Sequence, residues 1–96
     1  MKFKLVWRPM AFEDRDRIMD FIAQDNPQAA LALDALFEEK ANMLTDQPNL
    51  FKLGRIKGTR EAVVQPNYIL VYEVSDSSVA VLRVLHTSQA WPKEHI

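Results

Sequence analysis

The residues able to do chemistry gather in the last third of the chain, KGTREAVVQPNYILVYEVSDSSVAVLRVLHTSQAWP, residues 57–92. Arg60, Arg83 and His86 stand at or near the ends of β-rich runs, and Tyr68 and Tyr72 lie in the run between them. An arginine holds a phosphate through two parallel N–H donors. A histidine moves a proton near neutral pH. A tyrosine stacks on a base or positions an oxygen. Together these groups would suit RNA cleavage without a metal, the ribose 2′-hydroxyl acting as nucleophile. Each also has an ordinary structural alternative. Arg60 would pair with Glu61 or Glu73, Arg83 would stretch across the sheet, and the tyrosines would be core residues with wet hydroxyls.

A second group is the basic loop. Lys52, Arg55, Lys57 and Arg60 fall within nine residues that contain no acid. With Leu50, Phe51 and Trp91 they would make a docking surface for a protein or a nucleic acid. The alternative is a solvated loop whose apolar members pin it to the core. Other chemistries find no support. There are two glycines, Gly54 and Gly58, so no nucleotide-binding glycine loop. His86 and His95 lack the i, i+4 spacing of a zinc helix, and no cofactor or metal is expected. No serine sits in a nucleophile elbow. The absence of cysteine removes disulfides and thiolate chemistry.

The elements that would carry these residues follow from period and punctuation. Residues 2–7 alternate, with Phe3, Leu5 and Trp7 on one face, and read as a half-buried strand ended by Arg8-Pro9. Residues 10–25 read as a helix with Ala11, Arg15, Ile18 and Ile22 in its stripe, flanked by Met19 and Phe21. Glu13, Asp14 and Asp16 near its start suit the helix dipole. Asn26-Pro27 is a cap and first-turn pair for a second helix running to about Leu44. Its apolar face is Ala29, Leu33, Leu36, Phe37 and Met43 or Leu44. Residues 45–56 form a loop. Three strands follow at 59–64, 68–74 and 79–86, joined by a three-residue turn (Gln65-Pro66-Asn67) and by 75–78. Short connections make them an antiparallel meander. The class is α+β: β-α-α-β-β-β, an antiparallel sheet packed against an αα-hairpin around one core.

Ninety-six residues, 48% hydrophobic, bound one small globular domain over 1–96. No segment reads as a signal peptide or a membrane span, so a cytoplasmic location without membrane contact is expected. Net charge is −1, but six bases against nine acids in residues 1–50 contrast with six against four in 51–96. The basic side of a neutral chain is therefore local.

The element order, with IKGTREAVVQPNYILVYEV followed by VAVLRVLHTSQAWP, resembles the RelE/ParE superfamily of bacterial toxins. The Gly-x-Arg, Pro-Asn-Tyr-x-x-x-Tyr and Arg-Val-x-His series carries the resemblance, which spans nearly the whole chain. It implies the toxin of a type II toxin–antitoxin module, used in growth inhibition and plasmid stabilisation and held in a hetero-oligomer by a cognate antitoxin. Two activities divide the superfamily. ParE-type members poison DNA gyrase, while RelE-type members are mRNA interferases that cut mRNA on the ribosome. Arg83 and His86 match last-strand positions that RelE-type enzymes use for phosphate contact or proton transfer, and Arg60 falls near a basic position. Where RelE-type nucleases commonly carry an arginine after the tyrosine, this chain has Ile69, and its lysine run is thin. The resemblance therefore leans towards a gyrase inhibitor, a binding module with no catalytic residue. The alternative is a ribosome-dependent mRNA endonuclease in which Arg60, Arg83 and His86 are catalytic. Either reading expects an antitoxin that is acidic opposite residues 52–60 and carries the DNA-binding module itself, since no helix-turn-helix pattern appears here.

Overall fold

In the computed structural model, which describes residues 3–89 and 91–92, strand β1 is Lys4–Trp7. Phe3, Leu5 and Trp7 pack on the core, as the alternation requires. Pro9 does not merely end this strand. It is the first residue of helix α1 (Pro9–Ala23), where its missing N–H costs nothing. The first turn contains no acid: Glu13, Asp14 and Asp16, expected to suit the dipole, all lie beyond it. The stripe holds: Ala11 and Arg15 are buried, and Ile18 and Ile22 pack against the core. Arg15 is satisfied there by Asp34, at 2.8 Å and 2.9 Å, by Glu38 at 3.2 Å, and by the Trp7 ring 4.4 Å away.

Helix α2 (Pro27–Asp46) starts on Asn26, whose side chain accepts the Ala29 N–H at 3.0 Å. Leu33, Phe37, Ala41 and Leu44 are buried, and Ala30 takes the place expected for Ala29, which is exposed. Strands β2 (Arg60–Gln65), β3 (Tyr68–Val74) and β4 (Ser78–His86) form the meander, with Pro66-Asn67 as a two-residue turn. The sheet order is β1-β4-β3-β2. β1 runs parallel to β4, so the antiparallel sheet gains one parallel edge. The helical hairpin covers one face. Leu70, Tyr72, Val79, Val81 and Val84 point into this main core. Ile69, Val71 and Leu85 make a smaller cluster on the outer face under Trp91, so there are two apolar layers where one was expected.

Two irregularities decide which way side chains point. Val71 faces Arg83 while Tyr72 faces Val81, so β4 carries one extra residue, Leu82. The extra residue keeps Val79 and Val81 on the same face as Val84. A second register shift lies in β2 between Val63 and Gln65.

The loop before β2 folds back on it. Gly54 N–H donates to Thr59 O at 2.7 Å, and Glu61 N–H to Lys52 O at 3.2 Å. Pro48 and Phe51 anchor this loop, but Leu50 and Leu53 do not, being 59% and 70% exposed. Gly58 takes φ +86°, the left-handed conformation that favours glycine. Arg55 is held by Glu61, with Nε and the backbone N–H both 3.1 Å from Oε2. Burial alone would raise the Glu61 pKa, but the hydrogen bonds and charge of Arg55 bring it below the ordinary glutamate value.

Two outcomes are expected from these contacts. Asn26→Ala should cost about 1 kcal/mol of stability, read from urea unfolding, because it orphans a first-turn N–H. The depressed pKa of Glu61 means its contribution is complete above the unfolded value of about 4.3 and is lost as pH falls through the folded value. The melting-temperature gap between wild type and Glu61→Gln should therefore be constant near neutrality and close in acid. A gap independent of pH would contradict the assignment.

Candidate functional site

The cationic and aromatic residues do not converge on one surface. On β4, Arg83 and His86 are three residues apart, and neighbouring residues of a strand alternate between faces. His86 pairs with Tyr68 on the helix face, the two rings meeting edge-on at 5.1 Å between centroids. Arg83 pairs with Val71 and leaves from the outer face, its guanidinium 5.4 Å from the Trp91 ring. Arg60 pairs with Tyr72, four residues along β3 from Tyr68 and so about 13 Å away along the strand.

Arg83 is bound by a residue that the pattern of catalytic types does not single out. Its guanidinium turns towards α1 and donates to both oxygens of Asp14, Nε to Oδ2 at 2.7 Å and Nη2 to Oδ1 at 3.1 Å. Arg17 donates to the same carboxylate at 3.2 Å, and the Val84 backbone N–H donates to it at 2.9 Å. Asp14 is 1% exposed. The hydrogen bonds to Asp14 raise the Arg83 pKa further above its already high value. The signal for Asp14 was in the helix stripe: it lies three residues after Ala11 and four before Ile18, on the buried side.

β4 needs this carboxylate. Its nine residues outrun the four of β1, which pairs only with residues 78–81. Beyond that point the outward N–H of Val84 is taken by Asp14, and that of His86 by Gln89 Oε1 at 2.8 Å. The His86 imidazole is also engaged: Nδ1 accepts the Ser88 backbone N–H at 3.0 Å and lies 2.7 Å from the Ser88 hydroxyl. His86 and Tyr68 line a cleft of about 320 Å3 with Arg17, Ile18, Phe21 and Gln89. Phe21, expected beside the buried stripe, is instead 73% exposed at the mouth of this cleft.

The remaining expected site residues serve the loop. Arg60 donates to the Phe51 carbonyl at 2.6 Å and pairs with neither Glu61 nor Glu73. Those acids meet Arg55 and Arg8. Tyr72 is buried, and its hydroxyl is not wet: it donates to the Pro48 carbonyl at 2.8 Å. Burial raises its pKa, and the nearby Arg60 charge offsets part of that shift. Arg55 reaches the Trp91 carbonyl at 3.1 Å, and Trp91 closes the outer cluster. Lys52 and Lys57 are exposed. Among the described residues, no three acidic or histidine side chains come together to hold a metal ion, and no helix is long and apolar enough to cross a membrane. His95 lies outside the described residues.

Residues 5–91 match the family model described as ParE toxin of type II toxin-antitoxin system, parDE. A candidate toxin of Sinorhizobium fredii is 34% identical over 91 residues, covering 94% of each chain. Toxin RelE2 of Caulobacter vibrioides is 31% identical over 86 residues, covering 90% of this chain and 97% of that one. In fold the chain is similar to the chromosomal ParDE system of P. aeruginosa, with a TM-score of 0.80 at 19% identity over 88% of this chain and 96% of that one. It is also similar to the RelBE2 toxin–antitoxin complex of Mycobacterium tuberculosis, with a TM-score of 0.65 at 23% identity over 90% and 99%. A match over nearly the whole length, on the β-α-α-β-β-β frame that the residues themselves build, makes this chain a member of the ParE toxin family of type II toxin–antitoxin systems.

Proposed function

We propose that this toxin inhibits growth by binding DNA gyrase, as a docking module without a catalytic residue, and that a cognate antitoxin neutralises it in the cytoplasm. The observation that carries this reading is the separation of the three residues a metal-independent ribonuclease would need. Arg83 and His86 leave β4 on opposite faces, and Arg60 sits at the far end of the sheet on a backbone carbonyl. A guanidinium already paired with a buried carboxylate has no free charge for a phosphorane. The near-neutral net charge supports the same reading, since ribosomal RNA rewards a strongly basic surface.

A second reading, a ribosome-dependent mRNA endonuclease, draws on the likeness to toxin RelE2 and on the cleft that brings Arg17, Tyr68 and His86 together. In that reading His86 would transfer the proton and Arg60 and Arg83 would stabilise charge.

The antitoxin surface follows from the loop. Leu50 and Leu53 are exposed beside Lys52 and Lys57, and a larger cleft runs between α2 and β2, lined by Leu36, Lys40, Met43 and Val64. Apolar residues rimmed by lysines fit an amphipathic, acidic segment.

Two experiments test these readings. Toxin freed of its antitoxin should block supercoiling by purified gyrase and trap cleaved plasmid, and His86→Ala should leave that effect within about threefold. Unaffected gyrase, with toxin that is folded and toxic in cells, would transfer the assignment to mRNA cleavage. Charge reversal at both Lys52 and Lys57 should weaken the antitoxin complex by about tenfold and flatten its salt dependence. An affinity indifferent to both salt and reversal would remove the loop from that interface.

A further inference from the structure

The Asp14 cluster has a consequence beyond holding the fold. Arg17 lines the cleft that contains Tyr68 and His86, and it shares one buried carboxylate, Asp14, with Arg83 of the outer face. A guanidinium binds a carboxylate and a phosphate through the same fork of N–H donors, so an arginine held by one is not available to the other. Arg83 has 20% of its side chain exposed, and its open face lies against Trp91. Arg17 is more exposed, at 63%, and spends one donor on Asp14. Without Asp14, Arg17 would be a free cation beside a half-buried histidine, a tyrosine and an exposed phenylalanine, with Arg83 uncovered just behind it where the carboxylate now lies, a set that would attract single-stranded nucleic acid.

We propose that Asp14 is a specificity determinant of this face: by neutralising Arg83 and Arg17 it keeps the His86 cleft from taking up phosphodiesters, and removing its charge opens a polyanion site there. The inference rests on the gyrase reading, in which this face cuts no RNA. Asp14 acts through the two arginines, so it is a positioning residue and not a catalytic one.

The test is the full-length Asp14→Asn protein with a short fluorescein-labelled single-stranded RNA, followed by anisotropy across a salt series. Asparagine keeps an acceptor for the Val84 N–H while removing the charge. Affinity should rise roughly tenfold at low salt, and the log–log salt slope should steepen by about 0.7 for each phosphate gained. The gain should vanish in Asp14→Asn/Arg83→Gln. It should also be absent in Glu13→Gln, which removes the same charge from the exposed neighbouring residue. A folded Asp14→Asn no tighter than wild type, a gain that survives loss of Arg83, or an equal gain in Glu13→Gln would each overturn the proposal. If Asp14→Asn does not fold, the wild-type protein carries the test by NMR. The Arg83 Nε–H signal should stay in place as the RNA is added, and its movement would mean the guanidinium is available after all. Gyrase inhibition by wild type is assayed separately. Failure there with Arg83 still masked sinks the target alone, whereas Arg83-dependent RNA binding by wild type sinks the role of Asp14.

Discussion

A single buried carboxylate ties the two layers of this protein together. Asp14 projects from α1 into the edge of the sheet where β1 has ended and β4 has not. An isolated charge in such a place costs several kcal/mol. It is tolerated because three guanidinium bonds and one backbone N–H surround it. The arrangement meets two demands at once. It satisfies a backbone donor on an otherwise open strand edge, the kind of site that invites pairing with another chain. It also links α1 directly to β4, beside the apolar contacts that seat the hairpin on the sheet.

The same bond shapes what the surface can do. Arg83 and Trp91 close the outer face, while His86 and Tyr68 remain on the helix face with Ser88 and Gln89 folded over the strand end. Charge that looks concentrated in the chain becomes dispersed in space. Arg55 is spent on Glu61, Arg60 on a carbonyl, Arg15 on Asp34 and Glu38. Among the described residues, the cations near the loop with neither an ion-pair nor a carbonyl partner are lysines, which act as hydrated point charges suited to a rim more than to a reaction centre. A toxin that works by docking is consistent with such a surface.

Much of the architecture was legible without coordinates. The Asn26-Pro27 pair marks the start of α2 because a side-chain acceptor and a missing N–H are local chemistry. Pro66-Asn67 and the serine-rich turn after Val74 mark the meander for the same reason. The stripes of α1 and α2 follow from a period of 3.6, including Arg15, whose place in the stripe predicted its burial. The opposite facing of Arg83 and His86 was also present in their spacing of three, although residue type drew them together as one group. Asp14 is legible by position, three residues after Ala11 and four before Ile18, but an acid near a helix start also suits the dipole, and nothing local tells the two roles apart.

The order of elements, the helix start, the turns and the apolar faces are written in the chain itself, since each depends on residues within a few positions of one another. The parallel pairing of β1 with β4, the extra residue at Leu82 and the exposure of Leu50 and Leu53 are not. They depend on which distant strand or helix meets which edge. Above all, whether an arginine is a free cation or half of a buried pair was decided across 69 residues of chain, between Asp14 and Arg83. Local sequence names the charged groups, but only packing assigns their partners, because electrostatic pairing is set by distance in space and by the water that folding removes.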